Sequence, residues 1–120
     1  MNKYSDIDDR LYAKYQDIRL EEDRLAIENA IENILLISKG EVPGRPEFGS
    51  NIRNYLHEII DELTLSAIES EVINSIEKWE DRVEILKVSA VSEGNILVLD
   101  IYYRIKSTNE VNNFTIGIDV

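Results

Sequence analysis

The apolar residues of this chain keep one period up to Glu80 and another beyond Arg82. In residues 23–38, Ile27, Ile31, Ile34 and Leu35 recur at helical spacing, whereas in residues 95–105 Leu97, Leu99, Ile101, Tyr103 and Ile105 fall at every second position. A helix gathers positions three and four apart on one face; a strand gathers positions two apart. A single core serves both patterns when helices from the first part pack on a sheet from the second. The fold class is therefore α+β.

Three helices are predicted. The first runs over residues 23–38, with Glu28, Glu32 and Asn33 opposite the apolar face and Gly40 as its stop. The second carries Ile52, Tyr55, Leu56 and Ile59 and can be capped by Ser50. The third starts at Thr64 or Ser66, where Ser66 and Glu69 have capping-box spacing, presents Ile68, Val72, Ile76 and Trp79 as one stripe, and ends near Glu80. Between the first two lies "GEVPGRPEFGS", residues 40–50, which concentrates three glycines and both prolines. Proline restricts φ and glycine opens φ > 0, so this stretch reads as a loop of defined shape.

Three strands follow, over residues 83–91, 95–105 and 114–120. In the first, the apolar set slips from Val83 and Ile85 to Leu86, Val88 and Ala90, which predicts a bulge or bend. In the last, Phe114, Ile116, Ile118 and Val120 alternate with Thr115, Gly117 and Asp119. Short turns at residues 93–95 and 107–113 make the strands an antiparallel meander, with the helices on its apolar face. Residues 1–22 are polar and charged and read as an N-terminal arm; residues 23–120 form a single domain.

The charge excludes several functions. With 24 acidic against 13 basic residues the formal charge is −11, so direct nucleic-acid binding and attraction to anionic membranes are both opposed. No apolar run approaches the roughly 20 residues of a spanning helix. The polar, acidic start is unlike a signal peptide, and a soluble protein is expected. With no cysteine and His57 as the sole histidine, no thiol chemistry, metal site, cofactor site or catalytic residue is expected.

The order of a helix, a "PGRPEFGS" loop, a helix with a "WEDRV" exit and three C-terminal strands resembles the baseplate wedge family that initiates contractile sheaths. Its members include the small wedge protein of T-even phage baseplates and the matching component of type VI secretion baseplates. "YSDID", residues 4–8, is similar to the start of the phage members. The likeness spans nearly the whole chain. It implies structural work in a virion tail baseplate assembled in the host cytoplasm: six copies on the wedges around the hub, partnered by other wedge proteins and by the first ring of tail sheath subunits. It also implies that the meander is a sheath-like sheet. The family's Glu-Pro-Arg signature at the third helix's exit falls on Glu80, Asp81 and Arg82, with Asp81 in the place of proline.

The candidate partner-binding residues are thus Arg45 and Glu47 in the loop, Glu80, Asp81 and Arg82 at the helix exit, and Tyr102 on the solvent face of the second strand. Each has a structural alternative. Arg45 and Glu47 can brace their own loop while Phe48 plugs the core, Glu80 and Arg82 can form an internal salt bridge, and Trp79 can close the helix stripe onto the sheet. Two other function classes compete. A lysozyme-like glycoside hydrolase needs two carboxylates across a cleft, one of them in an apolar pocket, and the acids here lie mostly on solvent faces. A small unrelated adaptor would fit the helix and meander pattern alone. The mechanism favoured by the pattern is strand addition, because an open meander leaves two edges with unpaired N–H and C=O groups.

Overall fold

A computed structural model of the protein describes residues 9–57 and 59–119, with side chains from Glu21 onward. Residues 1–8 of the expected arm, with the "YSDID" stretch, and Val120 of the expected third strand lie outside the described residues. The elements run α1 Asp9–Leu36, α2 Ile52–Leu56, α3 Glu62–Trp79, β1 Val83–Glu93, β2 Ile96–Ile105 and β3 Val111–Asp119.

The helix α1 starts fourteen residues before its expected beginning at Asp23, so residues 9–22 of the expected arm are helical. The stretch contains no glycine or proline and is rich in Leu, Ala, Lys, Gln, Arg and Glu, so intrinsic propensity favours continuing the helix backwards. The predicted stripe is buried: Ile27, Ile31, Ile34 and Leu35 are at most 3% exposed.

The helix α2 is only five residues long. Ser50 serves chiefly the end of α1, donating its hydroxyl to Leu35 O at 2.9 Å, while Ile52 N–H reaches Ser50 Oγ at 3.5 Å. Ile59, expected on a buried face, lies beyond α2 and is 86% exposed. The chain leaves the helical path there because Asp61 caps α3: its side chain accepts from Thr64 N–H at 2.9 Å, and Thr64 Oγ1 donates to Ile59 O. The helix α3 therefore begins earlier than the Ser66/Glu69 spacing predicts, and Ser66 stands inside it. Its stripe of Ile68, Val72 and Ile76 is fully buried.

The sheet is the predicted meander, antiparallel in the order β1-β2-β3. The expected bulge is present: Leu86 is the extra residue between the pairs Ile85↔Tyr103 and Lys87↔Tyr102. The strand β3 starts three residues early because Val111, Asn112 and Asn113 find partners in Arg104, Tyr103 and Tyr102 despite the weak strand preference of asparagine. Leu97, Leu99, Ile101 and Tyr103 point into the helices and are fully buried. The Tyr103 hydroxyl donates to Glu28 Oε2 at 2.6 Å, and its ring meets Phe114 edge-on, which ties α1 to the middle of the sheet.

Candidate functional site

The Gly/Pro loop is closed at its neck. Ser38 and Ser50 form a parallel bridge, Ser50 N–H donates to Ile37 O at 2.9 Å, and a Cβ on Gly49, whose φ is 111°, would stand 2.3 Å from that same oxygen. Only glycine permits this approach. Inside the loop, Gly40 N–H donates to Pro46 O, Arg45 N–H to Val42 O and Phe48 N–H to Arg45 O, so successive turns fix its course.

That course delivers the loop to the end of α3. Phe48 is half-buried and stands edge-on to Trp79, the ring centroids 5.2 Å apart. The Arg45 guanidinium carbon lies 4.5 Å from the Phe48 centroid and 5.3 Å from that of Trp79. Lys78 Nζ is 5.2 Å from the Trp79 ring and 3.8 Å from Glu47 Oε2. Two expectations are corrected. Phe48 does not plug the core, and Trp79 does not close the stripe onto the sheet; the two rings cover each other outside the buried cluster. Ile76 in the last turn of α3 belongs to the core, whereas Trp79 is half-buried against the loop and Lys78. Its Nε1–H is buried without a hydrogen-bond acceptor among the described residues.

One residue further, the chain leaves the helix. Glu80 takes an extended conformation, and exposed Asp81 forms part of the turn into β1. Arg82 grips Glu80 with two parallel bonds, Nε to Oε1 at 2.7 Å and a terminal nitrogen to Oε2 at 2.8 Å; Arg82 N–H adds a third at 3.1 Å. These bonds hold the Glu80 carboxyl below the usual carboxylate range against the opposing effect of burial. The internal salt bridge therefore exists. It does not consume Arg82, whose side chain is 50% exposed against 7% for Glu80. Arg82 also lines a cleft of about 470 Å³ with Asp23, Ile27, Ile105, Lys106 and Glu110.

Tyr102 lies elsewhere, on the sheet face away from the helices, in the row Lys87–Tyr102–Asn113. Leu86, Val91, Ile96 and Val111 are also exposed. The six candidates thus divide. Arg45 and Glu47 join the end of α3 immediately before Glu80, Asp81 and Arg82, while Tyr102 faces the other way.

Sequence reasoning missed Glu69. Its Oε2 accepts the Ala90 N–H at 2.8 Å, so a carboxylate on α3 caps a donor of the edge strand β1. The local pattern assigns Glu69 to a capping box with Ser66 instead; with the helix starting at Glu62 and capped by Asp61, its carboxylate is left for the strand.

The cleft beside Arg82 contains two carboxylates, Asp23 and Glu110, and both residues are exposed. Exposure withholds the apolar burial that a general acid needs. Among the described residues no cluster of His, Asp and Glu is arranged to hold a metal ion, and no helix is long and apolar enough to cross a membrane.

The family model described as "Baseplate wedge protein gp25" matches residues 21–110. The baseplate wedge protein gp25 of Enterobacteria phage T4 is 28% identical over 89 residues, which is 73% of this chain and 67% of the relative. A crystal structure of a candidate tail lysozyme from Geobacter sulfurreducens superposes with a TM-score of 0.75 at 36% identity, covering 84% of this chain and 91% of that one. A structure of the pyocin R2 baseplate after contraction contains a chain with a TM-score of 0.54 at 24% identity, covering 80% of this chain and 84% of its own, a likeness of fold.

Proposed function

Because the chain belongs to the baseplate wedge protein gp25 family, whose model spans residues 21–110, we propose that this structural baseplate component joins neighbouring wedge proteins at one end and starts the sheath at the other. The joining surface is the loop and helix exit, with Arg45, Glu47, Asp81 and Arg82 outermost and Glu80 orienting Arg82. Six copies around the hub would each present the meander to the first ring of sheath subunits. Assembly takes place in the host cytoplasm, and the product resides in the tail baseplate.

The observation that carries this reading is the division of labour in the sheet. One face is sealed by helices, while the other face retains exposed apolar side chains and the outer strands retain edges. An edge presents backbone groups at fixed spacing, so an extended arm of another subunit can add to it with register set by alternating side chains. The formal charge of −11 keeps free copies apart until such a partner arrives.

The experiment is reconstitution. Baseplates assembled with the wild-type chain should start sheath polymerisation around a tube, and baseplates lacking it should not; equal sheath growth in both would overturn the proposal. The name of the Geobacter relative raises peptidoglycan hydrolysis as a second reading. The exposed pair Asp23 and Glu110 does not support it, and the purified protein should release no muropeptides.

A further inference from the structure

The two edges of the meander are not equivalent. Ala90 N–H donates to Glu69, so it points away from β2. In an antiparallel pair, residues facing the partner alternate with residues facing outwards. Beyond the bulge the outward donors of β1 are then Val88, Ala90 and Ser92; the middle one is occupied, and α3 packs along this strand. The same alternation turns Leu97, Leu99 and Ile101 of β2 toward Ile118, Ile116 and Phe114 of β3. It leaves the N–H and C=O groups of Asn113, Thr115, Gly117 and Asp119 directed to the free side of β3. All four residues are exposed, and among the described residues no side chain hydrogen-bonds to these backbone groups.

The free edge also has a shape. Gly117 stands in the outer-face row Val91–Val98–Gly117, next to Ile96, whose Cγ2 would be 3.4 Å from a Cβ at Gly117. The missing side chain leaves a notch in the outer face, walled by Val98 and Ile96, that opens toward the edge. The neighbouring row, Glu93–Ile96–Asp119, brings two carboxylates to the same end of the sheet.

We infer that the incoming strand pairs with β3 and not with β1, and that it carries a bulky apolar side chain opposite Gly117 and a cationic one opposite Asp119. This rests on the strand-addition reading above and names its edge and the chemistry of its partner. A residue directly opposite Gly117 points to the same face, where its side chain leans into the notch against Val98 and Ile96. An opposite charge across from Asp119 then fixes direction and register. The Glu69 cap obstructs the middle of the competing edge, which directs the incoming strand to β3.

Amide hydrogen exchange on the full chain within assembled baseplates, with and without purified cognate sheath subunits, tests this at residue resolution. The amides of Asn113, Thr115 and Gly117 should slow by about a hundredfold on sheath addition while those of Val88 and Ser92 stay unchanged. Protection at Val88 and Ser92 alone would overturn the edge assignment and leave strand addition standing; protection at neither edge would overturn both. Gly117→Val fills the notch at a position without positive φ, so the chain should fold with an unchanged or higher melting temperature. It should nonetheless require about tenfold more sheath subunit for half-maximal polymerisation. Polymerisation at the wild-type concentration would remove the notch from the argument.

Discussion

The Phe48 ring meets Trp79 edge-on with centroids 5.2 Å apart, and this contact holds the Gly/Pro loop to the end of α3. Both rings are half-buried, and neither belongs to the core cluster. Phe48→Ala should therefore cost about 1–2 kcal/mol, well short of the loss for a fully buried phenylalanine. Trp79 is the sole tryptophan, so the emission comes from this ring alone and should shift to the red in the variant. An unchanged emission maximum would show that the rings do not shield each other in solution.

Arg82→Ala leaves the carboxylate of Glu80, which is 6% exposed, without its fork. Because Arg82 itself is half-exposed, the cost to folding should be about 1–2 kcal/mol, nearer a surface pair than a fully buried one. The Glu80 carboxyl is held below its usual value of 4.5, so its contribution to stability is present above that pH and is lost as pH falls through the lowered value. Acid titration of the unfolding midpoint checks this: the wild type should lose more stability below about pH 4.5 than Arg82→Ala does. Incorporation into wedges should suffer in both Arg82→Ala and Arg82→Lys, because an ammonium cannot reproduce the two parallel bonds that orient the guanidinium.

Glu69→Ala uncaps the Ala90 N–H and returns a free donor to the middle of the β1 edge. An uncapped edge is a template for pairing between copies, so the variant should form dimers or larger species at concentrations where the wild type stays monodisperse. Sedimentation velocity distinguishes the two, and Glu69→Gln, which retains an acceptor oxygen, should behave as wild type.

Tyr103 is fully buried and donates to Glu28, so burial first and the nearby carboxylate second raise its phenol well above the usual value near 10. A raised value means the stabilising neutral form is fully present below about pH 10 and is lost as pH rises beyond it. Absorbance titration at alkaline pH should find Tyr103 ionising only together with unfolding. Tyr103→Phe should cost about 1–3 kcal/mol at neutral pH, since it leaves Glu28 without that donor, and should flatten the alkaline loss of stability.

What the sequence by itself determined were the features set within a few residues. The class α+β, the strand faces, the bulge at Leu86 and the end of α3 before Glu80 all follow from spacing, because backbone geometry imposes its period on any segment that must bury one face. The family likeness placed Glu80 and Arg82 together, and their separation of two residues made the bridge legible. The start of α1 was missed because the helix was read from the hydrophobic stripe that begins at Ile27, whereas the helix-favouring composition runs back to Asp9.

Only the tertiary structure decided the contacts between segments distant in the chain. Phe48 reads as a core residue until its ring is seen against Trp79 outside the core cluster, and Glu69 reads as the capping-box partner of Ser66 until β1 brings Ala90 N–H to it, 21 residues on. Tyr103 meets Glu28 across 75 residues. No local period encodes such pairs; they arise when packing brings separate faces together and leaves polar groups that must find a partner or remain open. That requirement caps one edge of the sheet and leaves the other free, a difference invisible in two strands whose alternating patterns read alike.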